Sequence, residues 1–168
     1  MTIHSGHPFA DAAPDPARRL RGRVAGAVTL WTAGDGTDRA GLTVSSLMVA
    51  LGPESSVLAL LDPDSELLEV LRSTGRGVVQ VLSWADRQLA EAFAGTAPAP
   101  GGPFRQAEFV ATDAGPRLAS ARTWAEVRLA GEREVGWSVE VQAVVEGVTI
   151  GEDDDPLLHR RGRFHRMS

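Results

Sequence analysis

The residues best placed for chemistry lie in one run, Ala40-Gly41-Leu42-Thr43-Val44-Ser45-Ser46-Leu47. A glycine lets a backbone pass close to a flat ligand where a Cβ would collide. Small hydroxyl residues beside it leave backbone N–H and C=O groups and side-chain oxygens facing that ligand. This suits the polar edge of a planar ring, or a phosphate; an ordinary exposed sheet edge has the same composition. A second candidate is Asp62-Pro63-Asp64-Ser65-Glu66, at a strand end opening a helix. Helix N-termini present unpaired N–H groups that attract anions, so Ser65 can hold a phosphate. It serves equally as a plain N-cap, and Asp64 and Glu66 oppose a strongly anionic ligand.

Other chemistries find little support. The four histidines are His4, His7, His159 and His165, with no His-x-x-x-His pair, so a dedicated metal site is not expected. Cysteine is absent, which removes disulfides, thiolate metal sites and thiol nucleophiles. There is no Gly-x-Ser-x-Gly elbow, and Gly34-Asp35-Gly36 lacks what a phosphate loop needs and reads as a hairpin turn. A net charge of -5 argues against a nucleic-acid footprint, and the Arg160, Arg161, Arg163 and Arg166 cluster is offset by Glu152 to Asp155 just before it. No apolar run reaches membrane-spanning length. Met1 to Pro16 lacks an apolar signal core, so a bacterial-type cytoplasmic protein is expected.

The elements that must carry these residues are mainly strands. The 168 residues, 43% apolar and 23% charged, fit one domain. A flexible arm is expected over residues 1–17 and the domain over 18–168, with a short helix from Arg18 to Arg23. Strands are read at Val24 to Trp31, Gly41 to Leu51, Ser56 to Leu61, Val78 to Leu82, Glu108 to Thr112, Trp124 to Leu129, Trp137 to Ile150 and Leu157 to Phe164. One helix starts at Ser65 and ends near Gly75, with Leu67, Leu68 and Leu71 on one face. Another runs from Trp84 to Ala94, capped by Ser83 with Asp86 at its third position and ended by Gly95. Thr96 to Pro103 is a Pro/Gly/Ala loop. Many strands, flanking helices and no βαβ repeat predict an antiparallel barrel with helices on its side.

In order, these pieces resemble the flavin reductase-like family of FMN-binding split barrels. Val24-Ala25-Gly26-Ala27-Val28 is similar to its opening strand and Gly41-Leu42-Thr43-Val44-Ser45-Ser46 to its flavin-binding strand. Leu51-Gly52-Pro53 through Leu61-Asp62 resembles the following turn and strand, with Ser65 at the family's phosphate-side serine. Val81-Leu82-Ser83, Leu89-Ala90 and Phe93-Ala94 resemble the next strand and helix. Gly115-Pro116-Arg117-Leu118, Trp124-Ala125-Glu126 and Pro156-Leu157-Leu158 match later landmarks. No single motif is specific; the ordered series is.

The resemblance implies a mainly β split-barrel fold, a homodimer, and NAD(P)H-dependent reduction of FMN or FAD for a partner monooxygenase. The cofactor-binding positions it implies are Gly41, Leu42, Thr43, Val44, Ser45, Ser46, Asp62, Ser65, Leu82 and Ser83. Family reductases carry Gly-Asp-His before the long penultimate strand; here the stretch is Glu134-Val135-Gly136-Trp137-Ser138. Trp137 and His159 are therefore the candidates for the nicotinamide or substrate side, Trp137 either stacking on a ring, closing the pocket or packing at a subunit interface. Three readings follow: a NADH- or NADPH-using flavin reductase, a flavoprotein of the same fold that does not use a nicotinamide, and a flavin-free binding module. Gly41, Thr43, Ser45, Ser46 and Ser65 disfavour the third.

Overall fold

The computed structural model describes residues 15–167. Asp15 accepts a hydrogen bond from the Ala17 N–H at 2.9 Å and caps α1 (Pro16–Arg23). The helix therefore starts two residues ahead of the expected arm boundary, because Pro16 suits a first helical position; residues 1–14 of the expected arm lie outside the described residues. β1 (Gly26–Ala27) and β2 (Thr29–Ala33) follow, then β3 (Ala40–Val44), β4 (Leu47–Ala50), β5 (Ser56–Leu61), α2 (Glu66–Thr74), β6 (Arg76–Val81) and α3 (Arg87–Ala94). The chain finishes with β7 (Phe109–Thr112), β8 (Gly115–Leu118), β9 (Trp124–Val135), β10 (Ser138–Thr149), β11 (Leu157–Arg160) and β12 (Arg163–Arg166).

Seven strands form one antiparallel sheet in the order β3-β2-β6-β9-β10-β5-β4. Its two edge strands, β3 and β4, are neighbours in sequence, separated by Ser45 and Ser46 alone. Laid flat, strands at about 4.8 Å spacing would put those edges roughly 29 Å apart. The link from Val44 to Leu47 reaches at most about 11 Å. The sheet must therefore curl until its edges meet, which gives the split barrel.

Two apolar clusters fill the fold. One lies inside the curled sheet and joins Trp31, Val44, Leu61 and Val141 to Leu67, Leu68 and Leu71 of α2. The other lies outside it, where Val28, Leu30 and Leu82 meet Leu89 and Phe93 of α3, Leu118 of β8 and Leu157 of β11. β2 is buried along its whole length because it contributes to both.

Four strand expectations are corrected. The run 24–31 breaks at Val28, which gives its N–H to the Leu157 carbonyl and its carbonyl to the Leu82 N–H, tying a small three-stranded sheet (β1-β11-β12) to the barrel. The run 41–51 breaks at the two serines. The run 157–164 is a hairpin, turning on Arg161 (φ 55°) and Gly162 (φ 73°), both left-handed as such tight turns require. β9 extends to Val135, and the landmark at 115–118 is a strand of its own, β8.

β7 and β8 form a ribbon held to the barrel by buried polar contacts. The Gln80 amide, with 0% exposure, donates to the Leu30 carbonyl at 2.8 Å and accepts from the Leu118 N–H at 2.7 Å. The Thr32 hydroxyl donates to the Pro116 carbonyl. An isosteric apolar side chain at 80 strands the Leu118 N–H in the core. Gln80→Leu is expected to destabilise the protein by about 2 kcal/mol, read as a lower urea midpoint; an unchanged midpoint would remove this tie from the account.

Candidate functional site

Alternation along β3 divides the residues expected to face one ligand between two faces. Leu42 and Val44 point inward and pack in the barrel core, Val44 with 3% exposure. Gly41, Thr43 and Ser45 point outward, toward α3. A Cβ on Gly41 would lie 2.6 Å from the Phe93 ring, so this glycine makes room for a side chain of α3. The Thr43 hydroxyl donates to the Ala90 carbonyl at 2.6 Å, fixing the same helix to the strand. Only at Ser45 does the outer face become exposed.

Ser46 turns the other way. Its hydroxyl donates to the Leu60 carbonyl at 2.9 Å and accepts from the Leu60 N–H at 3.1 Å, completing on one side chain the pairing that the bent backbone forgoes. On the opposite side β1 runs close to the bend: a Cβ at Gly26 would sit 2.7 Å from the Ser45 carbonyl oxygen.

Beside this bend, between β3, α3 and the β11–β12 hairpin, is a cavity of about 500 Å³. Thr43, Ser45 and His159 line it, so three of the expected residues meet there. Trp84, Arg87, Glu91, Arg163 and Phe164 line it too; of these the sequence drew attention only to Arg163, as part of the C-terminal arginine cluster and not as a site residue. Arg87 lies 4.7 Å over the Trp84 ring and donates to the Trp84 carbonyl at 3.0 Å, which fixes its guanidinium at the wall. Trp84 is itself anchored by its N–H on the Asp155 carbonyl at 2.9 Å, and Asp155 pairs with Arg166 at 2.8 Å. Burial, with Arg21 and then His165 nearby, holds the His159 imidazole below the usual histidine range, so at neutral pH it is an uncharged hydrogen-bonding wall. Its ring meets Phe164 edge-on at 5.9 Å.

The remaining expected residues lie elsewhere. Leu82 is a core side chain with 1% exposure, and its N–H and carbonyl pair with Val28 and Leu157. It cannot present a side chain to a ligand. Ser83 gives both its N–H and its hydroxyl to the Asp86 carboxylate, at 2.9 and 3.0 Å, capping the turn that leads into α3. Asp62 accepts from the Asp64 N–H at 2.9 Å, and Ser65 accepts from the Leu68 N–H at 3.3 Å as the N-cap of α2. Trp137 stands at the tip of the β9–β10 hairpin, 57% exposed, after Gly136 in a left-handed turn. The pairing of Val139 with Leu61 carries it past the end of β5, so Trp137 and His159 do not share a wall within one chain.

The donor set fits a flat cofactor with an anionic tail. Trp84 and Phe164 supply apolar wall, Ser45 and Thr43 a polar edge, and Arg87 and Arg163 positive charge. A volume of about 500 Å³ is ordinary for a cofactor site.

Residues 21–168 match the family model described as the flavin reductase like domain. The chain is 25% identical over 156 residues to the 4-hydroxyphenylacetate 3-monooxygenase reductase component of Pseudomonas aeruginosa, covering 89% of each. Among solved structures it superposes on the flavin reductase PheA2 with a TM-score of 0.81 at 23% identity, covering 92% of this chain and 99% of that one. It superposes equally on the Streptomyces globisporus NADH:FAD oxidoreductase SgcE6 in complex with NAD and FAD fragments, with a TM-score of 0.81 at 23% identity over 90% of this chain and 91% of that one.

The packing at Gly41 gives a direct test. Gly41→Val must displace the Phe93 ring and is expected to destabilise the flavin-free protein by about 1–3 kcal/mol in denaturant titration. Unchanged stability together with lost flavin affinity would place a ligand, and not Phe93, against that position.

Proposed function

The chain belongs to the flavin reductase-like domain family, and on that premise we propose that it is an NAD(P)H-dependent flavin reductase supplying reduced FMN or FAD to a partner monooxygenase. The observation that carries this reading is the cavity at the outer face of the Ser45 bend, with aromatic walls and two arginines. Flavin, when bound, supplies the two-electron chemistry that the protein's own side chains lack. Trp84 and Phe164 exclude water from the flat face of the ring. Thr43, spent on Ala90, keeps α3 at a fixed distance, so the cavity is shaped before a ligand arrives. His159, held neutral, donates or accepts a hydrogen bond without adding charge beside the ring. The reductase role beside a monooxygenase is supported by the likeness to the Pseudomonas aeruginosa monooxygenase reductase component, and use of NADH by the likeness to the Streptomyces globisporus NADH:FAD oxidoreductase.

A homodimer is part of this reading. Met48, Val49 and Leu51 on the β4 edge are 64%, 58% and 88% exposed, and Leu60 and Trp137 lie toward the C-terminal end of the neighbouring β5. An apolar strip of this kind is suited to a second copy, and Trp137 then belongs to the interface. Among the described residues no helix is long and apolar enough to cross a membrane; a cytoplasmic site of action is part of the proposal.

A second reading, a flavoprotein that does not use a nicotinamide, is favoured by one observation: tryptophan stands where family reductases carry histidine, at an exposed hairpin tip. Anaerobic addition of NADH, then of NADPH, to protein loaded with FMN separates the two. The reductase reading expects the yellow colour to bleach with either nucleotide; colour that persists with both supports the second. Light scattering is expected to give a dimer for wild type and a shift toward monomer for Trp137→Ala, and a monomeric wild type would contradict the interface.

A further inference from the structure

All seventeen basic residues counted in the chain are arginines, and they are not evenly spread. Four lie in α1 and four in the β11–β12 hairpin, on a chain of net charge -5. The two elements are joined, the Arg161 N–H donating to the Gly22 carbonyl at 2.9 Å. Arg21, Arg160, Arg161 and Arg163 are exposed on the resulting face. Of the carboxylates next to it, Asp15 caps α1 and Asp155 pairs with Arg166. Arg163 brings this face to the cavity, where Arg87 meets it from α3. The guanidinium fork matches phosphate oxygens two at a time, and Arg87 is already oriented by the Trp84 ring and carbonyl, so little freedom is lost on binding.

The alternative phosphate position is weaker on both counts. Ser65 has its hydroxyl oxygen engaged by the Leu68 N–H, and Asp62, Asp64 and Glu66 surround it with negative charge. Glu91 also lines the cavity, and a carboxylate there repels phosphate while accepting from sugar hydroxyls.

We propose that the arginine face of α1 and the terminal hairpin, continued into the cavity by Arg87 and Arg163, recognises the phosphate ester of the bound cofactor. The proposal rests on the cavity being the flavin site. Two cofactors carry such a group, the flavin and the nicotinamide dinucleotide, and ligand pairs that differ in phosphate distinguish them.

The test is equilibrium binding, by fluorescence, of FMN against riboflavin and of reduced nicotinamide mononucleotide against reduced nicotinamide riboside. Wild type, Arg87→Gln, Arg163→Gln and Ser65→Ala are compared. If the flavin phosphate is the group recognised, FMN affinity falls at least tenfold in each arginine variant and steeply with salt in wild type, while riboflavin affinity holds. If the dinucleotide is the source, the same pattern appears for the reduced mononucleotide against the riboside. Equal losses for both members of a pair in both arms, or an effect confined to Ser65→Ala, would overturn the proposal. Failure of wild type to bind either flavin would instead overturn the flavin reading, and the proposal with it. Near-ultraviolet circular dichroism shows whether each variant retains its fold, and the salt dependence of wild type stands without any variant.

Discussion

The closure of the sheet on two serines is the constraint from which the rest follows. β3 and β4 are opposite edges of a seven-stranded sheet, yet two residues join them. A bend that sharp interrupts backbone pairing: the β4–β5 ladder ends at Leu47 and Ala59, which leaves the Leu60 peptide groups without a backbone partner on that side. Ser46 resolves this by placing one hydroxyl against both the N–H and the carbonyl of Leu60. On the other side Gly26 lets β1 approach the Ser45 carbonyl where a side chain would collide.

The cavity is a consequence of that bend and of what covers β3. α3 lies over the outer face of the strand, with Phe93 filling the space at Gly41 and Ala90 taking the Thr43 hydroxyl. Its coverage ends before the bend, and the β11–β12 hairpin, hung from Val28 and Leu82 through Leu157, closes the space from the far side. A gap remains between two rigid walls, lined at one end by the strand and at the other by Trp84, His159 and Phe164. Rigid elements position these groups, as a site that must hold a planar ring requires.

Where local chemistry decides structure, the sequence was readable. Ser65 caps α2, Leu67, Leu68 and Leu71 bury its apolar face, and Gly75 ends it in a left-handed conformation at φ 73°. The alternation of Val139, Val141 and Ala143 along β10 is seen in their burial. The break at Ser45 was not readable, because the apolar pattern continues from Val44 into Leu47 and only long-range closure separates them. The terminal hairpin was missed because arginine is an unusual residue for a left-handed turn position. Thr43, Ser45 and His159, which line this cavity, could be picked out from the sequence because hydroxyls near a strand end and a histidine are visible one residue at a time. Arg87 and Arg163 were not, since each reads as a solvated helix or tail charge until α3 and the hairpin face each other. Gly41 was singled out for a ligand; the ring it makes room for belongs to Phe93.

The account's central claim is that flavin occupies the space beside the Ser45 bend. Titration of FMN into isotopically labelled protein, followed by backbone amide chemical shifts, tests this most directly. The largest shifts are expected at Ser45, Trp84, Arg87, His159 and Arg163, with the β7–β8 ribbon unmoved. Shifts that instead cluster in the acidic recess lined by Asp86, Arg122 and Asp154, or the absence of shifts at saturating FMN, would contradict it.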